Sequence, residues 1–571
     1  MTAMQRNVEK IRNNVRRLMI MLTAVMLTTA LHAQSFESAA EAVSHFGVGW
    51  NLGNTLDANN GQACPDIVQS ETMWGQPVTS ADLMTMMHRA GFGAIRVPVT
   101  WYPHMDASGK VNAAWMKRVR EVVDYVLDNG MYCLLNVHHD TGNDGGHWLT
   151  ASMQTYRDTR ERYESLWRQI AEEFRDYGER LLFEGYNEMT DKYQSWCFAT
   201  FGSSAKYVAA DAADAYEAIN SYAQSFVDAV RATGGNNAER NLVVNTYAAC
   251  CGSGTWNSHL KDPLKEMKLP QDKTEGHLAF QVHSYPNVKN ISSVKSEIDD
   301  MMSALKTHLQ SKGAPVIIGE WGTANDGEDD YRVRRENVLA FADYFVKRAV
   351  DYGIATFWWM GISDGMARTL PAFSQPDLAQ TILQAYHGSD YSPVMPTTDD
   401  FDIWYTVNDT GQWQELNLVS STVSLNDYKA VKVEFDEKPL SGYLSVKAYG
   451  ANGKEQYVGV PQQLSYTVSF NRTTLGTSVQ RVTLQYGKTG SYSIGVRRVC
   501  LIKGDGTEED MAVSPFWGCT VESHATPKSA GLADVMTDSP APADAIYSLS
   551  GQRVLQPMHG IYIRNGRKYV K

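Results

Sequence analysis

The sequence predicts an α/β chain: a (β/α)8 barrel, then a β-sandwich, then a small β-rich C-terminal tail. From about residue 45 to 388, short apolar runs alternate with amphipathic stretches, the pattern of repeated βα units. After residue 400 the helical period vanishes, and alternating runs split by Gly and Asn turns take over. Two of the barrel runs end in glutamate: Leu181 to Tyr186 leads into Asn187-Glu188, and Pro315 to Gly319 leads into Glu320.

Eight strands are expected, at Val48 to Leu52, Ala94 to Val99, Tyr132 to Val137, Leu181 to Tyr186, Leu242 to Asn245, Leu278 to Val282, Val316 to Gly319 and Ala355 to Trp359. Helical segments fall between them, among them Ser80 to Ala90, Ala113 to Asn129, Asp158 to Tyr177, Ala209 to Thr233, Val294 to Ser311 and Tyr331 to Tyr352. Ser80 and Asn112 stand where an N-cap belongs. Right-handed crossovers repeated eight times close into a barrel.

The predicted organisation is a signal segment at 1–33, the barrel domain at 34–388, a linker at 389–400, the sandwich at 401–523, a second linker at 524–543 and the tail at 544–571. The first segment joins a basic stretch (Arg6, Lys10, Arg12, Arg16, Arg17) to the apolar Leu18 to Leu31, with Ala33 before Gln34, a secretory pattern. That apolar stretch is too short to span a bilayer, and no later segment is apolar enough. The expected location is outside a bacterial cell, secreted or on its surface.

A net charge of −12 argues against nucleic acid as a partner, because phosphate neutralisation needs a basic face. A monomer is expected. Seven cysteines, at 64, 133, 197, 250, 251, 500 and 519, leave at least one unpaired or all reduced. Cys133 reads as a core residue, Cys500 and Cys519 are close enough in sequence to pair, and a vicinal Cys250–Cys251 bridge would be strained.

Polar groups recur at one end of nearly every barrel strand. Asn51 and Asn54 follow the first, Arg96 lies in the second, His138-His139 end the third and Asn187-Glu188 the fourth. His283 and Tyr285 end the sixth, Glu320 the seventh and Trp359 the eighth. The C-terminal end of the strands is where such barrels build their active sites. Two facing carboxylates there are the minimum equipment for cleaving a glycosidic bond. Neither a cofactor nor a metal is expected, since HExxH is absent and no third ligand is evident beside His138-His139-Asp140. Glu184 reads as a mid-strand residue, Glu71 as non-catalytic and Glu328 as part of a solvated acidic loop.

On these motifs the barrel resembles glycoside hydrolase family 5, the cellulase-like retaining enzymes. The stretch from Gly49 to Asp57, with Glu71-Thr-Met-Trp-Gly75 and Pro77, is similar to its subfamily 4 of endoglucanases and xyloglucanases. The resemblance implies Glu188 as acid/base and Glu320 as nucleophile. It also implies a β-glucan chain as substrate, met by Asn51, Asn54, Arg96, His138, His139, Asn187, His283, Tyr285 and Trp359. The chemistry agrees: Glu320 must be ionised, which Arg96 favours and Tyr285 supports by donating a hydrogen bond. Glu188 must start protonated, which a carboxylate about 5 Å away favours.

Where subfamily 4 continues with Asp-Asn after the tryptophan pair, this chain has Met360-Gly361, so the contacts near the cleavage point differ. Trp148, Trp196 and Trp256 are candidate outer platforms; the sandwich at 401–523 resembles ancillary carbohydrate-binding modules in architecture, with Trp404, Trp413 and Trp517 as core or sugar-stacking candidates. The end from Ile546 to Lys571 resembles the sorting domain of the type IX secretion pathway, which implies outer-membrane secretion machinery as a partner. An endo-β-mannanase and a non-catalytic surface glycan-binding protein are the alternative functions.

Overall fold

A computed structural model describes residues 35–142, 145–193, 208–252, 263–324, 335–409, 413, 415–419, 422–439, 444–460, 462–487, 492–511, 520–528, 546–548, 561–564 and 567–570. The signal segment, Trp196, Cys197, Trp256, Glu328, Trp517, Cys519 and residues 529–545 lie outside the described residues.

Eight parallel strands close into a barrel: β1 (Val48–Asn51), β2 (Ala94–Val97), β3 (Tyr132–Asn136), β4 (Leu181–Glu184), β5 (Leu242–Asn245), β6 (Leu278–Ser284), β7 (Val316–Trp321) and β8 (Ala355–Trp358). The expected barrel is therefore the one observed, with β1 paired to both β2 and β8. Every residue of these strands is buried. Helices wrap the outside, and two of them begin at the expected caps, Ser80 accepting from the Leu83 N–H and Asn112 from the Ala114 N–H.

The lining of the barrel follows from the two-residue period of a strand. Ala94, Leu134, Leu182, Val243, Ala279, Ile317, Ala355 and Phe357 form one apolar cluster inside, closed at its base by Ala39, Ala42 and Phe46 of the N-terminal segment. Two residues further along the first six strands, on the same face, stand Asn51, Arg96, Asn136, Glu184, Asn245 and Gln281, all buried. The barrel thus carries an apolar lower layer and a polar upper layer. The polar layer lies at the C-terminal end, where loops open to solvent.

Arg240, just before β5, ties the outer shell to the sheet. Its Nε donates to Asn237 Oδ1, Nη1 to the carbonyls of Gly178 and Leu181, and Nη2 to those of Phe174 and Tyr177. One of these carbonyls, that of Phe174, caps the helix Met153–Glu173, where the dipole favours a cation.

The sandwich comprises β9 (Phe401–Asp409), β10 (Glu415–Val419), β11 (Val423–Ser424), β12 (Tyr428–Phe435), β13 (Leu444–Gly450), β14 (Glu455–Gly459), β15 (Ser465–Ser469), β16 (Ser478–Tyr486), β17 (Tyr492–Lys503), β18 (Glu508–Met511) and β19 (Thr520–Pro527). One sheet runs β10-β16-β13-β14 with β11 beside β16, and the other runs β15-β12-β17-β9-β19 with β18 beside β17. The last strand continues to Pro527, past residue 523. A separate three-stranded antiparallel sheet joins Ile546–Ser548, Ile561–Arg564 and Arg567–Val570.

Cys500 and Cys251 are free thiols, which excludes a Cys500–Cys519 pair and agrees with the strain expected of a vicinal Cys250–Cys251 bridge; Cys250 itself is disulfide-bonded. The linker segment 389–400 packs against the barrel. The Tyr391 hydroxyl donates to the Ala90 carbonyl, the Phe373 N–H donates to the Pro396 carbonyl, and Phe401 joins an apolar cluster with Ala367, Leu370 and Ala372.

Replacing Arg240 with Met should strand five buried acceptors. Urea denaturation should show a loss of about 3 kcal/mol, and an unchanged midpoint would refute the role given to this side chain.

Candidate active site

Arg96 organises the polar layer. Its Nε and Nη2 grip both oxygens of Glu184 at 2.7 and 2.8 Å, a bidentate pair. Nη2 also donates to Asn187 Oδ1 at 2.7 Å, and Nη1 donates to Asn51 Oδ1 at 3.0 Å and Glu320 Oε1 at 2.6 Å. All five N–H groups of the guanidinium are thereby used. Burial disfavours the cation, but the carboxylates of Glu184 and Glu320 outweigh that and hold its pKa above the ordinary arginine value.

Glu184 is fixed in turn by the amides of Asn136 at 3.1 Å and Asn245 at 3.2 Å. Asn245 also donates to the Asn187 carbonyl at 3.0 Å, which holds the backbone leading into Glu188. Glu184 is thus the last residue of β4, and it anchors Arg96 instead of merely filling the strand.

Glu320 accepts from Arg96 through one oxygen and from the Tyr285 hydroxyl through the other, at 2.7 Å. Burial raises its pKa above the usual carboxylate range, while the Arg96 charge and the two hydrogen bonds pull it back down. His283 lies between the two glutamates, its Nδ1 2.7 Å from Glu188 Oε1 and 3.5 Å from Glu320 Oε2. The reactive atoms of Glu188, His283 and Glu320 all lie within 4.8 Å of one another.

Both active-site histidines are neutral near pH 7. Burial, with the Arg96 charge beside it, pushes His283 well below its ordinary value. Burial also pushes His138 down, helped by His139, Arg96 and His283. The Asn136 amide accepts from the Val99 N–H through oxygen and faces His138 Nδ1 with nitrogen at 3.0 Å. The His138 proton therefore sits on Nε2, which points toward Glu320 Oε1 at 3.9 Å.

The other candidates fall into two groups. Asn187, its oxygen on Arg96, presents the opposite end of its amide as a donor. Trp359 lies parallel to the His138 ring with centroids 5.8 Å apart. A side chain on Gly53 would press into the Trp359 indole, its Cβ 2.8 Å from the ring, so a glycine is required beneath that floor.

Asn51 and Arg96, however, are fully buried, with Asn51 Nδ2 donating to the Gly319, Phe357 and Trp358 carbonyls. They position other groups and do not meet the sugar. Asn54 and His139 lie in the rim. Asn54 takes a left-handed conformation (φ 60°) with its N–H on Asp57, and His139 packs edge-on against Trp74.

Trp148 is not an open platform. Its Nε1 donates to the buried Asp140 at 2.6 Å, and the Arg162 guanidinium lies over its ring at 4.4 Å.

Sequence reading missed Glu184, Asn136, Asn245 and Gln281. Their signal was present as one polar residue on the inward face near the end of each apolar strand. It also missed Asp57, which brings a third candidate metal donor within 4.8 Å of His138 and His139. That carboxylate already accepts the N–H groups of Asn54 and Thr55.

In place of an Asp-Asn pair, the loop after β8 offers Met360, whose carbonyl accepts from Trp50 Nε1 at 2.6 Å. Further along, Asp364 bonds to Gln76 at 3.1 Å and Arg368 at 3.3 Å.

Comparison with known proteins agrees with this geometry. A family model described as cellulase (glycosyl hydrolase family 5) matches residues 56–364. Endoglucanase A of Clostridium longisporum is 34% identical over 346 residues, 58% of this chain and 60% of that protein. The chain thus spans about 60% of the length of this curated relative. Among solved structures, a GH5-4 broad specificity endoglucanase from an uncultured bacterium superposes with a TM-score of 0.60 at 57% identity, covering 63% of this chain and 98% of that one. A glycoside hydrolase family 5 enzyme from Prevotella bryantii, solved as a mutant with a xyloglucan tetradecasaccharide, gives 0.56 at 43% identity, covering 62% and 99%.

Two substitutions separate positioning from chemistry. Glu184→Gln should lower kcat about 10²-fold with little change in KM, because Arg96 loses its clamp and Glu320 its alignment. Tyr285→Phe removes a donor that lowers the Glu320 pKa, so the acidic limb of kcat/KM should move to higher pH. A limb that stays put or moves down would assign that ionisation elsewhere.

Proposed function

The chain belongs to glycosyl hydrolase family 5, and on that premise we propose that it is a secreted, retaining endo-β-1,4-glucanase acting on cellulose-like, mixed-linkage or xyloglucan chains. The observation that carries the reading is the proximity of the two catalytic carboxylates, with oxygens of Glu188 and Glu320 within 4.8 Å of each other. Double displacement needs carboxyl groups about 5–5.5 Å apart, whereas inversion needs a wider gap to hold water between them.

Glu320 attacks the anomeric carbon as Glu188 delivers its proton to the departing glycosidic oxygen. Bond formation neutralises Glu320, and Arg96 then keeps Glu184 as its ionic partner. Glu188, now a carboxylate, takes a proton from water as that water attacks the same carbon, and Glu320 leaves as the carboxylate. His283, neutral and 2.7 Å from Glu188, orients the acid/base without adding charge. Asn187 donates to the sugar 2-hydroxyl, a bond that strengthens in the oxocarbenium-like transition state. Trp359 stacks on the sugar at the cleavage point.

The β-glucan preference is supported by the names of the similar proteins: endoglucanases, one of broad specificity, and one enzyme solved with a xyloglucan fragment. Export rests on the N-terminal basic-apolar pattern, and passage through outer-membrane secretion machinery rests on the tail from Ile546.

Glu320→Gln should abolish reducing-sugar release from carboxymethyl cellulose, lichenan and xyloglucan while polysaccharide binding persists. Glu188→Ala should cost roughly 10²–10⁴-fold. NMR of the first-formed product should show the β-anomer. An α-anomer would overturn retention, and wild-type release from mannan alone would replace the glucanase reading with a mannanase.

A further inference from the structure

On the reading of Glu188 as acid/base and Glu320 as nucleophile, we propose that Gln281 is a positioning residue for the cleavage reaction. Packed against a bulge of β7 at Gly319, its carboxamide fixes the tautomer of His283 and so decides which oxygen of Glu188 carries the proton.

The bulge follows from parity. Alternate residues of a strand face opposite ways. On β7, Ile317 lies in the apolar layer inside the barrel and Ile318 in the core outside it. Strict alternation would put Gly319 inside, Glu320 outside and Trp321 inside. The register breaks instead. Val282 pairs with Ile318 but His283 with Glu320, and on the other side Ile318 pairs with Thr356 but Trp321 with Trp358. One extra residue on a strand re-aims the side chains that follow it. Glu320 therefore turns inward onto Arg96 and His283, and Trp321 turns outward onto Phe341 and Phe345.

Gly319 thus takes the seventh place in the polar layer, where the first six strands carry polar side chains, and brings none of its own. The Gln281 carboxamide fills that place. A Cβ on Gly319 would lie 2.6 Å from Gln281 Nε2 and closer still to Cδ and Oε1. Gln281 is fully buried, and the Gly319 carbonyl is held by Asn51 Nδ2 at 2.9 Å. The carboxamide is therefore pressed against the bulge that aims the nucleophile, with its Nε2 3.5 Å from His283 Nε2.

The position of the His283 proton follows from what faces each ring nitrogen. Nδ1 stands 2.7 Å from Glu188 Oε1 and 3.5 Å from Glu320 Oε2. A lone pair there would face the lone pairs of the Glu320 carboxylate, so the single proton of the neutral ring belongs on Nδ1. Nε2 is then an acceptor, and the Gln281 amide supplies the N–H that faces it. Gln281 Oε1 has no hydrogen-bond partner among the described residues. An unmet buried acceptor of this kind is tolerated where a site needs the other end of the group.

The tautomer matters to both steps of the reaction. With Nδ1 protonated, Glu188 Oε1 accepts a hydrogen bond, which confines the acid's proton to Oε2 and directs it to the glycosidic oxygen. The opposite tautomer would draw that proton into a bond with His283, away from the substrate. In the second step the same Nδ1–H steadies the Glu188 carboxylate while it takes a proton from water. The other titratable groups facing this pair are Glu320 and Tyr285 toward Glu188, and Arg96, His138 and Glu320 toward His283. The Arg96 charge disfavours a second proton on the His283 ring.

The test is NMR of the histidine ring nitrogens in the full chain, with His283 assigned by its loss in His283→Asn, together with kcat/KM against pH. In the wild-type chain His283 should be neutral and protonated on Nδ1. Gln281→Met keeps the length of the side chain and removes the donor. The His283 proton should then move to Nε2, and Glu188, now donating to Nδ1, should hold its proton to higher pH. The basic limb of kcat/KM should rise by about one pH unit. Gly319→Ala should push the carboxamide off the ring and move the proton and the limb in the same direction with Gln281 unchanged. A wild-type ring protonated on Nε2 overturns the proposal, and so does a basic limb that Gln281→Met leaves in place. If either variant fails to fold, the wild-type ring decides by itself. The glucanase reading is judged apart, since it fails if the wild-type chain releases no sugar, whereas the ring spectrum needs no turnover.

Discussion

One buried cation holds the upper half of the barrel together. A guanidinium sealed from water is tolerable only if its charge and all five donors are met. Arg96 meets that demand with four groups from three strands or the loops that follow them: Asn51 on β1, Glu184 on β4, Asn187 beyond β4 and Glu320 on β7. Each of those partners is fixed by the same contact. Removing one would leave a buried charge uncompensated, at a cost of about 3–5 kcal/mol. The interaction that closes the top of the barrel is therefore also the one that aligns the nucleophile. Stability and reactivity cannot be tuned separately at this position.

The same pairing explains why a buried glutamate can serve as nucleophile. Burial alone raises the pKa of Glu320 and would leave it protonated and inert. Arg96 and the Tyr285 hydroxyl oppose that shift, and neither can give the carboxylate a competing negative charge at neutral pH, because burial and both glutamates raise the pKa of Tyr285. The neutral histidines keep the balance simple. With His138 and His283 uncharged, the site holds one permanent cation against Glu184 and Glu320. In the proposed reaction, covalent capture of a sugar removes the charge on Glu320 and leaves the Arg96–Glu184 pair intact.

How much of this was legible in the sequence depended on which physical rule governed each residue. Residues at the mouth of the barrel, such as Glu188, Glu320, His283 and Tyr285, were readable because they follow apolar runs and so must sit at strand ends. Glu184 was misread because a strand was extended two residues too far, which made its last residue look internal. The better signal was parity. In Ala94-Ile95-Arg96, Leu134-Leu135-Asn136, Leu182-Phe183-Glu184 and Val243-Val244-Asn245, an apolar residue is followed two positions later by a polar one. Only a shared inward face makes that repetition meaningful, and one strand by itself would not reveal it. Composition marked 389–400 as a linker without showing that Tyr391 and the Pro396 carbonyl find partners on the barrel. Cysteine spacing carried no information, since pairing depends on where loops converge.

The loop after β8 carries Met360-Gly361 where the family resemblance implied an Asp-Asn pair, and its construction shows what stands there. Met360 takes a positive φ of 29° and points its carbonyl at Trp50 Nε1, so the backbone occupies a place where a polar side-chain pair was expected. From there the loop is tied to itself: Gly361 and Ile362 carbonyls receive Gln375 Nε2 and the Ser374 N–H. The Phe373 N–H then reaches across to the Pro396 carbonyl, at the entrance to the sandwich. A loop bonded at both ends and along its length transmits position better than it absorbs motion. One of these bonds, from the Phe373 N–H to Pro396, together with the packing of Phe401 on Ala367, Leu370 and Ala372, ties this loop to the start of the sandwich.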